Sequence, residues 1–361
     1  MDSSPKVNYF LGANSPDGFY SLYSELIDPA EARAIYILKG GPGCGKSTLM
    51  RRVGAVLEQA GHPVEYICCS GDPDSLDGVL APTLKVALSD GTAPHVMEPK
   101  YPGAVETYVD LGQCYDRAAL WPIRQELMDC MSGYKECYQR TYRCLGAAAE
   151  IRRDMRSMVE TEALQQKLLK RARGIAAREL KKNGSAPGSV KRRFLSAVTH
   201  KGLICCFGTP ELLCKRIYEL SDSYGTAHTM LVSLLSVAVA AGHEVVACPS
   251  PMAPDRLEHL LIPSLSLAFL TSSPALPYPG RPYRRIRLDA MADSELMRRQ
   301  KPRLRFARKV SAALVDEAVD SLAQAKALHD KLEGIYNPHV DFARVLQMAD
   351  AIAGEILSLT L

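Results

Sequence analysis

Ala34-Ile-Tyr-Ile-Leu-Lys-Gly-Gly-Pro-Gly-Cys-Gly-Lys-Ser-Thr-Leu-Met50 is the stretch on which the reading of this chain turns. An apolar, β-type run over residues 35–39 leads into Gly40, then four residues, then Gly45-Lys46-Ser47, and a segment with helical spacing follows. A glycine-rich turn between a strand and a helix N-terminus leaves backbone N–H groups facing inward at the positive end of the helix dipole. A polyphosphate fits there. The spacing nominates Gly40, Gly41, Pro42, Gly43, Cys44, Gly45, Lys46, Ser47 and Thr48 as the nucleotide loop. Lys46 is expected to reach the β- and γ-phosphates as the catalytic lysine and the Ser47 hydroxyl to ligate Mg²⁺, while Gly43, Cys44 and Gly45 supply backbone donors. ATP and Mg²⁺ are the expected ligand and cofactor. Cys44 stands where a helix dipole lowers a thiol pKa, which allows redox control. Its position is variable in the signature, so it reads first as a small loop side chain.

At 361 residues, 47% hydrophobic and 23% charged, the chain belongs with soluble globular proteins of two or three domains. Its net charge of +4 is unevenly spread: residues 151–193 carry 13 Lys/Arg against 4 Asp/Glu, and residues 281–309 carry 11 against 3. The remainder is therefore acidic. The first six residues lack the basic and apolar regions of a signal peptide, and the longest apolar segment, 230–241, is too short to span a bilayer. A cytoplasmic protein without a membrane span is expected. Eleven cysteines with no Cys-x-x-Cys pair read as reduced thiols, with no support for a zinc ribbon or a thioredoxin-type site. Cys130, Cys137 and Cys144 recur at heptad spacing, as seam residues of packed helices do.

In chain order, residues 7–13 and 19–23 suggest a hairpin around Asn14-Ser-Pro-Asp-Gly18. A helix is expected over 46–60, with Leu49, Val53, Val56 and Leu57 on one face, then strands over 64–68 and 84–88. Alternating strands and helices predict an α/β, mainly parallel sheet of P-loop NTPase type, with ligands bound beyond the carboxyl ends of the strands. Asp90 falls there and is expected to hold Mg²⁺ through water, as a catalytic acid group. Asp72 and Asp77, in Asp72-Pro-Asp-Ser-Leu-Asp77, compete for that role, and turn chemistry followed by a helix N-cap is the structural alternative. A long helical arm is expected over 117–182. Its basic residues 152–182 read first as a solvated face and second as a surface for nucleic acid or an acidic protein partner.

After residue 182 the chain starts again. Arg193-Phe-Leu-Ser-Ala197 echoes Tyr9-Phe-Leu-Gly-Ala13 at a shift of 184. Tyr218 and Leu220 echo Tyr36 and Leu38 at 182, Ala241-Gly-His243 echoes Ala60-Gly-His62 at 181, and Tyr278-Pro-Gly280 echoes Tyr101-Pro-Gly103 at 177. A shift that drifts only through small gaps is the mark of tandem duplication. The expected division is an active P-loop unit with its arm over 1–182, a flexible linker over 183–192, and a homologous degenerate unit with a helical C-terminus over 193–361. In that alignment Lys46 becomes His228 and Gly40 becomes Asp222, so the second loop is expected to hold no nucleotide. The two units are expected to pack together.

Gly-Gly-Pro-Gly-Cys-Gly-Lys-Ser-Thr (Gly40 to Thr48), Asp-Pro-Asp-Ser-Leu-Asp-Gly (Asp72 to Gly78) and Asp-Gly-Thr-Ala-Pro-His (Asp90 to His95) together resemble a poorly characterised bacterial family of tandemly duplicated P-loop ATPases. The resemblance spans nearly the whole chain and implies ATP binding and hydrolysis. In that family both halves can carry the loop; here the second has lost it. Asn-Lys-x-Asp and Leu-Ser-Gly-Gly are missing from the sequence, against a GTPase and a transporter ATPase. The leading expectation is an Mg-dependent ATP hydrolase with one working site, with Arg281, Arg284 or Arg285 as a source of an arginine finger. A nucleoside or nucleotide kinase and a non-hydrolysing, ATP-gated binding module are the alternatives.

Overall fold

Apolar, β-branched and aromatic residues set the strands, and the residues that break these runs set the connections between them. The computed structural model describes residues 5–184 and 186–359. It is α/β, with two six-stranded mixed sheets in which parallel pairs predominate. Two compact units divide the chain: Met1–Ala13, Ser21–Thr141 and Asp320–Leu361 form the first, and Asn14–Tyr20 and Tyr142–Val319 form the second. Each unit thus draws on both halves of the sequence.

The chain opens with β1 (Val7–Tyr9) and the paired strands β2 (Gly12–Ser15) and β3 (Gly18–Ser21). The hairpin is shorter than its apolar runs suggest, because Val7–Tyr9 instead joins the main sheet, parallel to a later strand. That sheet continues with β4 (Ala34–Lys39), β5 (Glu65–Cys68), β6 (Leu76–Ala81), β7 (Val86–Asp90) and β8 (Glu106–Asp110). Helix α1 (Lys46–Gln59) follows β4 and buries Leu49, Met50, Val53 and Leu57. The sheet order is β1-β5-β6-β7-β4-β8. Pairs β1–β5, β4–β7 and β4–β8 are parallel, whereas β5–β6 and β6–β7 are antiparallel. The sheet is therefore more mixed than expected. The segment after the Asp72 turn reverses as a strand and not as a helix, since all six residues of β6 are buried between β5 and β7.

The helical region consists of α2 (Arg117–Leu120), α3 (Arg124–Val159) and α4 (Glu162–Glu179). Helix α3 runs unbroken through Gly133 and Gly146. The break comes at Thr161, whose hydroxyl accepts the Leu164 N–H at 3.2 Å as an N-cap. Next comes β9 (Val190–Arg192), which pairs with a later strand; before it the Asn183 and Gly188 N–H groups donate to the Ala241 and Val239 carbonyls. Hairpin β10 (Ser196–Thr199) and β11 (Gly202–Cys205), helix α5 (Gly208–Leu213), β12 (Arg216–Ser221), α6 (Ala227–Ala240), β13 (Val245–Ser250), β14 (Ala253–Ile262), β15 (Leu267–Ser272) and β16 (Arg284–Arg287) follow. Read from β9, the second sheet runs β9-β13-β14-β15-β12-β16. That is the order of the first sheet, and each pair has the same sense as its counterpart. Even the non-glycine residues with positive φ among the described residues, Lys85 at 57° and Ser266 at 49°, stand at matching places before β7 and β15.

The chain ends with α7 (Ser294–Tyr336) and α8 (Phe342–Ser358). In unit 1, α8 lies along α1 and buries Val345, Ala349, Ile352, Ala353 and Ile356. In unit 2, α4 lies along α6 and places Leu164, Leu168, Ala172 and Ile175 in a core with Met230, Leu231, Leu234 and Phe269. The basic residues of α4 are therefore the reverse side of an amphipathic helix. Among the described residues no helix is long and apolar enough to cross a membrane.

Candidate functional site

The loop between β4 and α1 puts its nominated residues in one place. Gly45, at φ 88°, occupies the left-handed region as the residue before the helix, a conformation that costs other residues about 1–2 kcal/mol. Its backbone packs closely enough on α8 that an added Cβ would lie 3.1 Å from Val345 Cγ1. Lys46 opens the helix, and its ammonium donates to the Gly40 and Gly41 carbonyls at 2.8 and 3.0 Å. Asp90 Oδ2 stands 3.6 Å from the same nitrogen. Sheet order explains this meeting: β7 is the parallel neighbour of β4, with Leu38 opposite Asp90, so both strands deliver their carboxyl ends to one edge. Asp90 is further fixed by Thr92, whose N–H and hydroxyl donate to Oδ1 at 2.8 and 2.6 Å. Ser47 Oγ accepts the Leu76 N–H at 3.0 Å, which leaves its hydroxyl proton and a lone pair for other partners.

The far side of the loop is held by side chains from two later segments. Tyr115 donates to the Pro42 carbonyl at 3.1 Å. With its side-chain amide nitrogen turned toward the loop, Asn337 donates to the Gly43 carbonyl at 3.0 Å. Cys44 is buried, and that burial raises its thiol pKa despite the nearby Lys46, so the loop does not create the reactive thiolate that its helix-terminal position allowed. Pro42 and Thr48 lie in the loop and at the start of α1, where the spacing placed them.

The two competing carboxylates separate. Asp72 caps its own turn, accepting the Asp74 N–H at 3.2 Å, and stands 3.4 Å from Lys326 Nζ. Asp77 is buried at the start of β6, where its Oδ2 accepts the Tyr23 hydroxyl at 2.9 Å and lies 3.2 Å from His95 Nε2. Burial raises the Asp77 pKa; His95 opposes that shift and Asp90 adds to it. Cys69 completes this group. Nothing in local spacing flags it, because its members come from three separate segments.

Unit 2 displays the second loop, between β12 and α6. Asp222 fills it: Oδ1 accepts the Tyr224 and Gly225 N–H groups at 2.9 and 3.0 Å, and Oδ2 accepts that of Ala227 at 2.6 Å. An internal carboxylate thus occupies the nest of donors that an external anion would need. The first loop has Gly40 at this point, with no side chain to do so. His228 Nδ1 accepts the Leu257 N–H at 2.9 Å, the same bond that Ser47 Oγ makes with Leu76 in unit 1. His228 therefore replaces Ser47, and the counterpart of Lys46 is Ala227. This corrects the sequence alignment by one residue, since the second loop is shorter. Burial, with Arg256 and Arg156, lowers the His228 pKa. A cavity of about 510 Å³ borders this loop and is lined by Arg152, Arg156, Arg256 and Arg308 among others. Of the basic group near β16, Arg285 is engaged with Glu219 on β12 and Arg284 stacks on Tyr283.

Residues 21–173 match the family model described as Nephrocystin 3, N-terminal. The matched span holds the Gly40–Thr48 loop, Asp77, Asp90 and His95, and stops inside α4. It covers less than half of the chain and none of the second sheet, so the likeness concerns the first sheet and the helices after it. The match does not extend to the tandem bacterial family suggested by the motifs. Searches of curated proteins and of solved structures gave no match.

Proposed function

We propose that this chain is an Mg-dependent ATP hydrolase of P-loop type, built from two copies of one α/β unit, with its only working nucleotide site in unit 1. The observation that carries the reading is the placing of Lys46. Its ammonium stands at the first residue of α1, held by loop carbonyls and facing Asp90 from the adjacent parallel strand. A polyphosphate entering the loop would take over those bonds and meet the positive end of the α1 dipole. Ser47 and Asp90 have the oxygen chemistry to hold Mg²⁺, Ser47 directly and Asp90 through water. The ion supplies charge neutralisation of the β- and γ-phosphates when bound.

The matching sheet orders support duplication, and Asp222, Ala227 and His228 support loss of the second site. Calorimetry with Mg-ATP on the full chain tests this directly. One site is expected, abolished by Lys46→Ala and retained in His228→Ala, with phosphate released as ATP becomes ADP. Two sites, or equal loss in both variants, would overturn the reading.

A further inference from the structure

Cys69, Asp77 and His95 bring one thiol, one carboxyl and one imidazole to the carboxyl-terminal edge of the first sheet, with ligand atoms all within 4.8 Å of one another. They arrive from three segments: Cys69 follows β5, Asp77 opens β6, and His95 lies in the turn after β7. That turn is fixed by the bond from the His95 N–H to the Thr92 carbonyl at 2.8 Å. Asp77 and His95 are almost completely buried, at 5% and 6% exposure. The Tyr23 ring covers His95 at a centroid distance of 4.7 Å, and its hydroxyl binds Asp77.

We propose that this group is a divalent transition-metal site, taking Zn²⁺ in preference to Mg²⁺, with Cys69 Sγ, Asp77 and His95 Nε2 as protein ligands and a fourth position beside Tyr23. Beside the geometry, the donor chemistry carries it. A thiolate and an imidazole suit a borderline-soft ion and suit Mg²⁺ poorly. One thiolate and one carboxylate also balance a 2+ charge, leaving a neutral assembly that tolerates burial. Binding releases to solvent the Cys69 proton and the proton that the 3.2 Å contact between Asp77 Oδ2 and His95 Nε2 requires, which frees a lone pair on each ligand atom.

The other unit preserves the scaffold and exchanges the side chains at these positions. Register pairs put Glu258 at the place of Asp77 and Ser250, the last residue of β13, at the place of Cys69. The turn after β15 repeats the turn after β7, with the Leu276 N–H donating to Ser273, so Leu276 stands for His95. Phe207 stands for Tyr23, since Cys206 donates to Leu195 as Leu22 does to Leu11. The unit that lacks Lys46 and Asp90 thus carries a different set around Glu258, in which His259 Nε2 lies 3.4 Å from Glu258 and 3.9 Å from Cys205 Sγ, near the Phe207 ring.

The test uses the full chain, offered one equivalent of Zn²⁺ and then gel-filtered and dialysed. About one Zn²⁺ per chain by elemental analysis is expected, together with a higher urea unfolding midpoint in the presence of the ion. Replacement by Co²⁺ should give a thiolate-to-cobalt charge-transfer band, lost in Cys69→Ser and kept in Cys144→Ser. Tyr23→Phe should weaken retention by roughly 10–100-fold, as loss of a supporting partner does. Wild-type chain that folds but retains less than ~0.1 Zn²⁺ per molecule and shows no midpoint shift overturns the proposal. So does a charge-transfer band that survives Cys69→Ser. Both readouts are independent of nucleotide binding.

Discussion

Asp222→Ala tests the idea that the second loop carries its own anion. The carboxylate is 4% exposed and accepts three backbone N–H groups, with the Thr226 hydroxyl as a fourth donor at 3.3 Å. Four such bonds at about 1 kcal/mol each give about 4 kcal/mol, from which the relief of removing a buried charge must be subtracted. A net loss of about 2–4 kcal/mol follows. For a unit of this size each kcal/mol lowers the unfolding temperature by about 2–4 °C, so a fall of roughly 4–16 °C is expected in the transition of unit 2. Asp222→Asn keeps one acceptor oxygen and should lose about half as much. Calorimetric scans would resolve the two units if they melt separately, and urea unfolding followed by circular dichroism would report the loss in the whole chain. A change below about 0.5 kcal/mol in Asp222→Ala would refute the reasoning, because the four donors would then be satisfied without the carboxylate.

Glu179 gives a pH prediction: burial pushes its pKa up, but Tyr218, Arg178 and Arg216 outweigh that and hold it below the usual range. The unfolded chain then binds the proton more readily, so the stabilisation is complete above the unfolded pKa and is lost as pH falls through the folded one. Glu179→Gln should cost about 1–3 kcal/mol at pH 7 in urea unfolding, with the difference shrinking below pH 4. Ile356→Ala, at a fully buried position of α8, should destabilise unit 1 by about 2–5 kcal/mol in the same assay. Gly45→Ala places a Cβ at φ 88° and 3.1 Å from Val345; about 1–3 kcal/mol of destabilisation and weakened Mg-ATP binding by calorimetry are expected.

The strand, loop and helix around Lys46 were legible because each signal is local: an apolar run, glycines where backbone must approach, and a helix that starts at the lysine. The drifting repeat was legible because two copies constrain each other, and its shifts reappear as equivalent strands in the two sheets. Strand β6 was not. Asp72-Pro-Asp-Ser before Leu76 carries the marks of a turn and helix cap, and only pairing with β5 and β7 decides otherwise. The role of His228 also escaped, since one residue removed from a loop exchanges the positions of a lysine and a serine without changing the motif's appearance. Cys69, Asp77 and His95 share no spacing rule. Their meeting depends on which strands are neighbours, and the sequence states that only through the completed sheet.

Helix α8 has a consequence for how the protein is made. The helix that carries the phosphate loop ends at Gln59, and its covering helix begins at Phe342. At a synthesis rate of ~5–20 residues per second, the outer side of α1 waits roughly 15–60 s on the ribosome for its partner. Over that interval the nascent first sheet presents an uncovered apolar helix face, a natural target for chaperones. Ordering of the loop that α8 abuts would then wait until α8 has emerged.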